Sequence, residues 1–204
     1  VPEINVPQGQ MVTDMRNWKA EFARALRNFR YERTETGVWF PAQKAGFGGI
    51  FETSVDGSAW VPNKNTVTLQ FLDQMLGDWF NSGSPPTGFY IAPFTNNTAP
   101  SSALTATTFA GTQGEYTGYT QATRVEWVSN GASAAQTVSN SNAPAEFTIG
   151  AAATTIRGAG LLTASAKGAG TGVLVAAALF DAGNTLNPAS TLKIKYSLAG
   201  APSA

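Results

Sequence analysis

The sequence predicts a mainly β protein: an antiparallel, jelly-roll-like β-sandwich with an N-terminal arm and one or two short helices. Three observations carry this. Short apolar or alternating runs recur between Phe89 and Leu198, each bounded by clusters of Gly, Asn, Ser or Pro. No helix-length segment separates those runs, which argues against a βαβ fold. Composition also shifts near residue 82: eight of the 13 Lys and Arg and nine of the 13 acids precede it, and Ala, Thr, Gly and Ser dominate after it.

In chain order, Val1–Gln10 has prolines at 2 and 7 and no periodicity, and reads as an extended arm. Met15, Trp18, Phe22, Leu26 and Phe29 then recur at spacings of three and four, a helical apolar stripe with Thr13 or Asp14 placed to cap it. Arg16, Arg24, Arg27 and Arg30 fall mostly off that stripe, on a face that is either solvated or set against an acidic partner. Residues 37–62 read as irregular or weakly β, with Asp56-Gly57 between Ile50-Phe51 and Trp60-Val61 as a hairpin turn. Asn65–Phe80 reads as a second amphipathic helix, with Leu69, Leu72, Met75, Leu76, Trp79 and Phe80 packing onto the segments downstream. A linker signal covers Asn81–Gly88.

Beyond it, Phe89–Phe94 is a short apolar run and Arg124–Val128 alternates. Phe147 and Ile149 alternate with Glu146 and Thr148. Val173–Phe180 is apolar on both faces, as a covered central strand would be. Leu192, Ile194, Tyr196 and Leu198 alternate with Lys193, Lys195 and Ser197, the cleanest half-buried strand of the chain. The Ala/Thr/Ser/Gly-rich stretches at 99–108, 132–145 and 151–155 read as loops and strand edges. These elements divide the chain into residues 1–63, an arm with an amphipathic helix and a hairpin segment, and residues 64–204, a bracing helix plus the sandwich.

The chain has no His and no Cys, and after residue 82 its only carboxylates are Glu115, Glu126, Glu146 and Asp181. General acid–base work, soft-metal binding and thiol chemistry draw on the residue types it lacks, so no catalytic, metal or cofactor site is expected. Formal net charge is zero, so no global field draws in nucleic acid, and no apolar run of about 18 residues suggests a membrane span. Gly111–Gly114 and Gly168–Gly172 are glycine-rich but lack the strand-before, helix-after context of a phosphate loop, and read as hairpin turns. Glu126 and Glu146 sit at polar positions of alternating strands, where an exposed charge is expected, rather than as a glycosidase pair. Trp79 and Trp127 fit core positions, whereas Trp39 and Trp60 fall in irregular segments suited to partner contacts.

Several spaced blocks then form a familiar succession. Asn65–Leu76 precedes Gly88–Phe94, followed by Pro100, Phe109, Tyr116–Tyr119, Thr123-Arg124, Ala143–Ile149, Ile156–Ala159, Gly172–Phe180 and Thr191–Leu198. Over about residues 64–200 this resembles small virion proteins of tailed bacteriophages that look like capsid decoration or cement proteins. Such sequences often carry Gly-Asp-Thr-Leu before the last strand; here Gly183-Asn184-Thr185-Leu186 stands there, followed by Asn187-Pro188. The resemblance implies a non-enzymatic protein on the outer surface of the icosahedral head that bridges major capsid protein subunits and contacts other copies of itself, with no direct nucleic acid and no membrane partner. On that reading Trp18, Phe22, Phe29, Trp39 and Phe40 are the apolar anchors of the partner interface, and Arg24 and Arg27 its polar contacts. Trp18, Phe22 and Phe29 packing onto this chain's own sandwich is the competing reading. Two other functions fit the same sandwich: a tail, baseplate or head-fibre adaptor, and a carbohydrate- or receptor-binding module with Tyr90, Tyr116 and Tyr119 as its exposed platform.

Overall fold

Alternation along Thr191–Leu198 places Leu192, Ile194 and Tyr196 in the core and turns Lys193 and Lys195 outward. That strand organises one of two antiparallel sheets. The computed structural model describes residues 31–33, 39–41, 44–131 and 136–203. Its elements are β1 (Tyr31–Arg33), β2 (Trp39–Pro41), β3 (Lys44–Val55), β4 (Val61–Lys64), β5 (Thr66–Val67), α1 (Leu69–Phe80), β6 (Tyr90–Phe94), α2 (Ala106–Gln113), β7 (Val125–Glu126), β8 (Thr137–Ser139), β9 (Ala145–Thr148), β10 (Thr154–Leu162), β11 (Leu174–Leu186) and β12 (Thr191–Ser203).

The chain forms two compact units. In Val1–Gly46 with Pro202–Ala204, β1 and β2 pair antiparallel, with Arg33 opposite Trp39 and Glu32 opposite Phe40. The unit Phe47–Ala201 holds the sandwich. One sheet runs β5-β11-β10-β6-β7; the other runs β4-β3-β12-β8, with β9 also pairing β12. This is the β-sandwich that the sequence predicts. Its unit starts at Phe47, and β3 and β4 lie in the second sheet, so the sandwich draws on residues upstream of 64. The reason is local: Asp56 and Gly57 both have positive φ (47° and 82°), the geometry of a tight hairpin turn, and they fold β4 back on β3 with Thr53 opposite Val61.

The two sheets share one apolar core. Ile91, Leu161, Val175, Ala178 and Phe180 from the first sheet meet Phe51, Phe147, Leu192, Ile194 and Tyr196 from the second. The Phe51 and Tyr196 rings lie 4.4 Å apart, and the Trp127 indole donates to the Tyr196 carbonyl at 3.0 Å. On the other face of the first sheet, α2 lays Ala106 and Phe109 over Ala92, Phe94, Leu162, Leu174 and Ala177. β11 is therefore covered on both faces, as its sequence predicts.

Two elements depart from the sequence reading. The 99–108 stretch read as loop and strand edge runs into α2, which begins at Ala106 and whose only large apolar residue is Phe109. Gly111–Gly114 ends that helix, Gly114 taking a left-handed conformation (φ 66°), so it is a helix C-cap and not a hairpin turn. Gly168–Gly172 does lie in the hairpin connection between β10 and β11. Asn65–Val67 is not helix, and Thr66–Val67 form β5: α1 begins only after Thr68, whose hydroxyl accepts from the Phe71 N–H at 3.2 Å.

β10 is the central strand of its sheet, although its run Thr-Thr-Ile-Arg-Gly-Ala-Gly-Leu-Leu has no regular alternation. A register slip between Ile156 and Gly158 shifts the phase, so Ile156, Ala159 and Leu161 all reach the inter-sheet core. The glycines are required by packing. A Cβ on Gly158 would overlap the Phe94 ring and the Ala178 carbonyl, and one on Gly160 would sit 2.7 Å from the Phe109 ring. Gly158→Ala is therefore expected to destabilise the fold by about 1–3 kcal/mol in urea unfolding. Adding Phe94→Leu should recover part of that loss, as coupled neighbours do.

Candidate functional site

The connection between β10 and β11, residues 163–173, is held from four directions. Arg124 forms a fork with Glu115, Nε to Oε1 at 2.8 Å and Nη2 to Oε2 at 2.7 Å. Its remaining donors reach the carbonyls of Ala164 (2.9 Å) and Ala169 (2.9 Å), and its own N–H bonds Ser165 O at 2.8 Å. Both side chains of the pair are essentially sealed from solvent, at 0% and 1% exposure. Thr107 of α2 bonds Gly170 O at 3.1 Å, and Gln70 of α1 bonds Gly172 O at 3.2 Å. Lys167 reaches back to the carbonyls of Thr117 (3.2 Å) and Tyr119 (2.8 Å), with its ammonium 3.8 Å from the centre of the Tyr119 ring. Desolvation lowers the Lys167 pKa, with Glu115 acting in the opposite direction.

These bonds also fix α1. Thr68 bonds the Leu174 carbonyl through its hydroxyl and Val175 O through its N–H (3.1 Å). Gln70 Oε1 accepts from Ala106 N (2.9 Å) and Leu174 N (3.0 Å), joining α1 to α2 and β11 with one side chain. Phe71 packs against the inter-sheet core. With that side anchored, the other side faces out: Leu69 is 52%, Leu76 54% and Phe80 82% exposed. Leu76 and Phe80, with Met75 and Phe47 of β3, line a cavity of about 300 Å³ whose walls among the described residues are apolar. Thus α1 is apolar on two sides. Leu69, Leu76 and Phe80 do not pack onto the sandwich as their spacing predicts; Phe71 does. The sequence signal is the width of the apolar arc, more than one buried stripe needs.

The other sequence candidates separate cleanly. Trp18, Phe22, Arg24, Arg27 and Phe29 lie outside the described residues, as does the helix expected around them. Trp39 and Phe40 lie on β2, opposite Arg33 and Glu32. Trp127 is buried, as expected, and Trp60 is half-buried with the Lys195 ammonium 3.7 Å from its ring centre. Glu126 is exposed, and Glu146 is half-exposed and paired with Lys193 at 3.0 Å on the surface. The tyrosine platform does not form: Tyr119 is buried, its ring is tilted 51° from that of Tyr116, and the Tyr116 hydroxyl bonds Gly118 O at 3.0 Å. Among the described residues no group of His, Cys, Asp or Glu is placed to hold a metal ion, and no helix is long and apolar enough to cross a membrane.

Compared with protein-family models and with curated proteins, the sequence matches none.

The buried polar groups lead to two predictions. Arg124→Met leaves Glu115 buried without its partner and should cost about 3–5 kcal/mol in denaturant unfolding. Arg124→Lys should also destabilise, because an ammonium cannot reproduce the fork together with two carbonyl bonds. The second concerns alkaline pH. Burial raises the phenol pKa of both Tyr119 and Tyr196 above the ordinary 10.0; Glu115 adds to the first, and the Asn65 bond partly offsets the second. The folded state then holds these protons more tightly than the unfolded chain. Their contribution is present in full below pH 10 and is lost as pH rises above it. Denaturant midpoints should therefore fall as pH rises above about 10, and the fall should be shallower in Tyr196→Phe.

Proposed function

We propose that this chain is a non-enzymatic structural protein of a phage virion, which decorates and cements the icosahedral capsid by bridging major capsid protein subunits. The observation that carries the reading is the outward apolar face of α1, held on a body whose loops are fixed by a set of internal polar side chains. Arg124, Glu115, Gln70, Thr68 and Lys167 each hold backbone or another side chain in place. The large apolar side chains that α1 leaves exposed are Leu69, Leu76 and Phe80 beside the Phe47 cavity, with the Asp73 carboxylate exposed between them. A protein that works by contact needs such a surface, because desolvated apolar area and large side chains supply most of the strength of an interface. Repetition on a symmetric lattice would multiply a modest single contact into firm cohesion. The virion setting itself comes from the resemblance of residues 64–200. The burial of Tyr119 and the 51° tilt between its ring and that of Tyr116 weigh against glycan binding through those rings.

The test is the copy number of this chain per purified virion, by mass spectrometry against the major capsid protein. A ratio near unity or a simple fraction is expected. A handful of copies per particle would move the protein to a tail, baseplate or vertex, and complete absence would overturn the reading.

A further inference from the structure

Asn130 is the one Asn of the chain that is followed by Gly. Asn is among the thermally labile side chains, and its weak point is the amide carbon Cγ. The main-chain nitrogen of the next residue can reach that carbon and close a succinimide ring, and a following Gly has no Cβ to crowd the approach. Gly131 has φ 113°, a conformation that other residues rarely adopt. Ser129, Asn130 and Gly131 are all exposed, so water has access to the amide.

The fold surrounds this amide with the groups that its loss would use. Oδ1 accepts the Asn142 N–H at 3.1 Å, a donor placed for the charge that grows on the oxygen during attack. Nδ2 lies 2.6 Å from Ser141 Oγ and 3.3 Å from Ser139 Oγ, hydroxyls that can pass a proton to the nitrogen as it leaves. The Gly131 N–H is directed at Ser129 Oγ, 3.3 Å away, which can relay its proton. We propose that Asn130 is a site of spontaneous deamidation in the folded protein. The Gly131 nitrogen attacks Cγ, the N–Cγ bond forms as the Cγ–Nδ2 bond breaks, and Nδ2 leaves as ammonia with the proton that the Gly131 nitrogen gives up. Water then opens the ring at either carbonyl, leaving aspartate or isoaspartate at this position. Both products add a negative charge to a chain whose formal net charge is zero. Isoaspartate also inserts a methylene into the main chain where the Asn130 N–H bonds Ser139 O at 2.8 Å, at the end of β8. Ser139, Val138 and Thr137 pair β8 with β12, so the change loosens one edge of the second sheet. The inference stands on Asn130 and its neighbours, and does not depend on the virion reading.

The test is to store the folded full chain at mildly alkaline pH in heavy-oxygen water and follow it by peptide mapping with mass spectrometry. Asn130 should be the first Asn to convert, with heavy oxygen incorporated there and a mixture of aspartate and isoaspartate as the product. A more acidic form should appear on anion exchange at the same rate. Ser141 is exposed, so Ser141→Ala keeps the fold, and it should convert several-fold more slowly than the parent chain. Asn130→Gln should abolish the early conversion, because Gln would have to close a larger ring. Amide exchange over β8 should be faster in the isoaspartyl fraction than in the parent chain. First conversion at another Asn would overturn the inference, as would conversion of Asn130 only after the chain is unfolded in urea. Aspartate as the sole product would mean direct hydrolysis and would overturn it too. An unchanged rate in Ser141→Ala would overturn the part given to the hydroxyls, and unchanged exchange over β8 the link to the sheet edge.

Discussion

The buried guanidinium of Arg124 is the interaction on which the remainder of the sandwich depends. An Arg sealed from water is costly unless each donor finds an acceptor. Here the acceptors are the Glu115 carboxylate and two carbonyls of the β10–β11 connection. The pair adds little net stability over an apolar substitute of the same shape, but it strongly penalises any other path for those two loops. Its effect is to specify one arrangement of the long, glycine-rich connection 163–173, which has little apolar content to fix it otherwise. Once that connection is placed, Gly170 and Gly172 present their carbonyls to Thr107 and Gln70, and both helices acquire fixed positions.

The second constraint is steric. α2 can lie close on the first sheet only because β10 has no side chain at Gly158 and Gly160, where the rings of Phe94 and Phe109 sit instead. Glycine in a strand interior weakens the strand, and the two rings offset that weakness by filling the space a Cβ would have taken. Close contact on one face and a full inter-sheet core on the other make this sheet a middle layer. Most of β10 and the first half of β11 are consequently buried.

How much of this was legible in the sequence depends on the same two constraints. β12 was legible because one of its faces is solvated and its pattern alternates. β11 was legible because both its faces are covered and its run is apolar throughout, and the β3–β4 hairpin because Asp56-Gly57 suits positive φ at both positions. β10 was not, since Gly158 and Gly160 owe their identity to the distant rings of Phe94 and Phe109 and the register slip breaks the period. α2 was not, because a helix sealed by one Phe against alanines leaves almost no periodic signal. The Glu115–Arg124 pair was not, because nothing in its sequence spacing marks two loop charges as buried. Of the candidate contact residues, α1 was read as a helix, but the direction of its second apolar side depended on Gln70 and Thr68 choosing which side faces in.

That choice links stability to association. A flexible helix presenting Leu69, Leu76 and Phe80 would have to be ordered at the moment of contact, and ordering opposes binding. Here the ordering is done by folding. Arg124 fixes the connection, the connection and β11 fix Gln70, and Gln70 with Thr68 fixes the rotation of α1 about its own axis. The apolar line is thus presented at a set angle before any partner arrives, so that less ordering opposes contact. The inter-sheet core and the α2 layer consume most other large apolar side chains among the described residues, and three of the few that remain exposed lie on one helix. On the proposed function, a substitution at Arg124 should therefore weaken contact through α1 without touching it, by loosening the connection that holds Gln70.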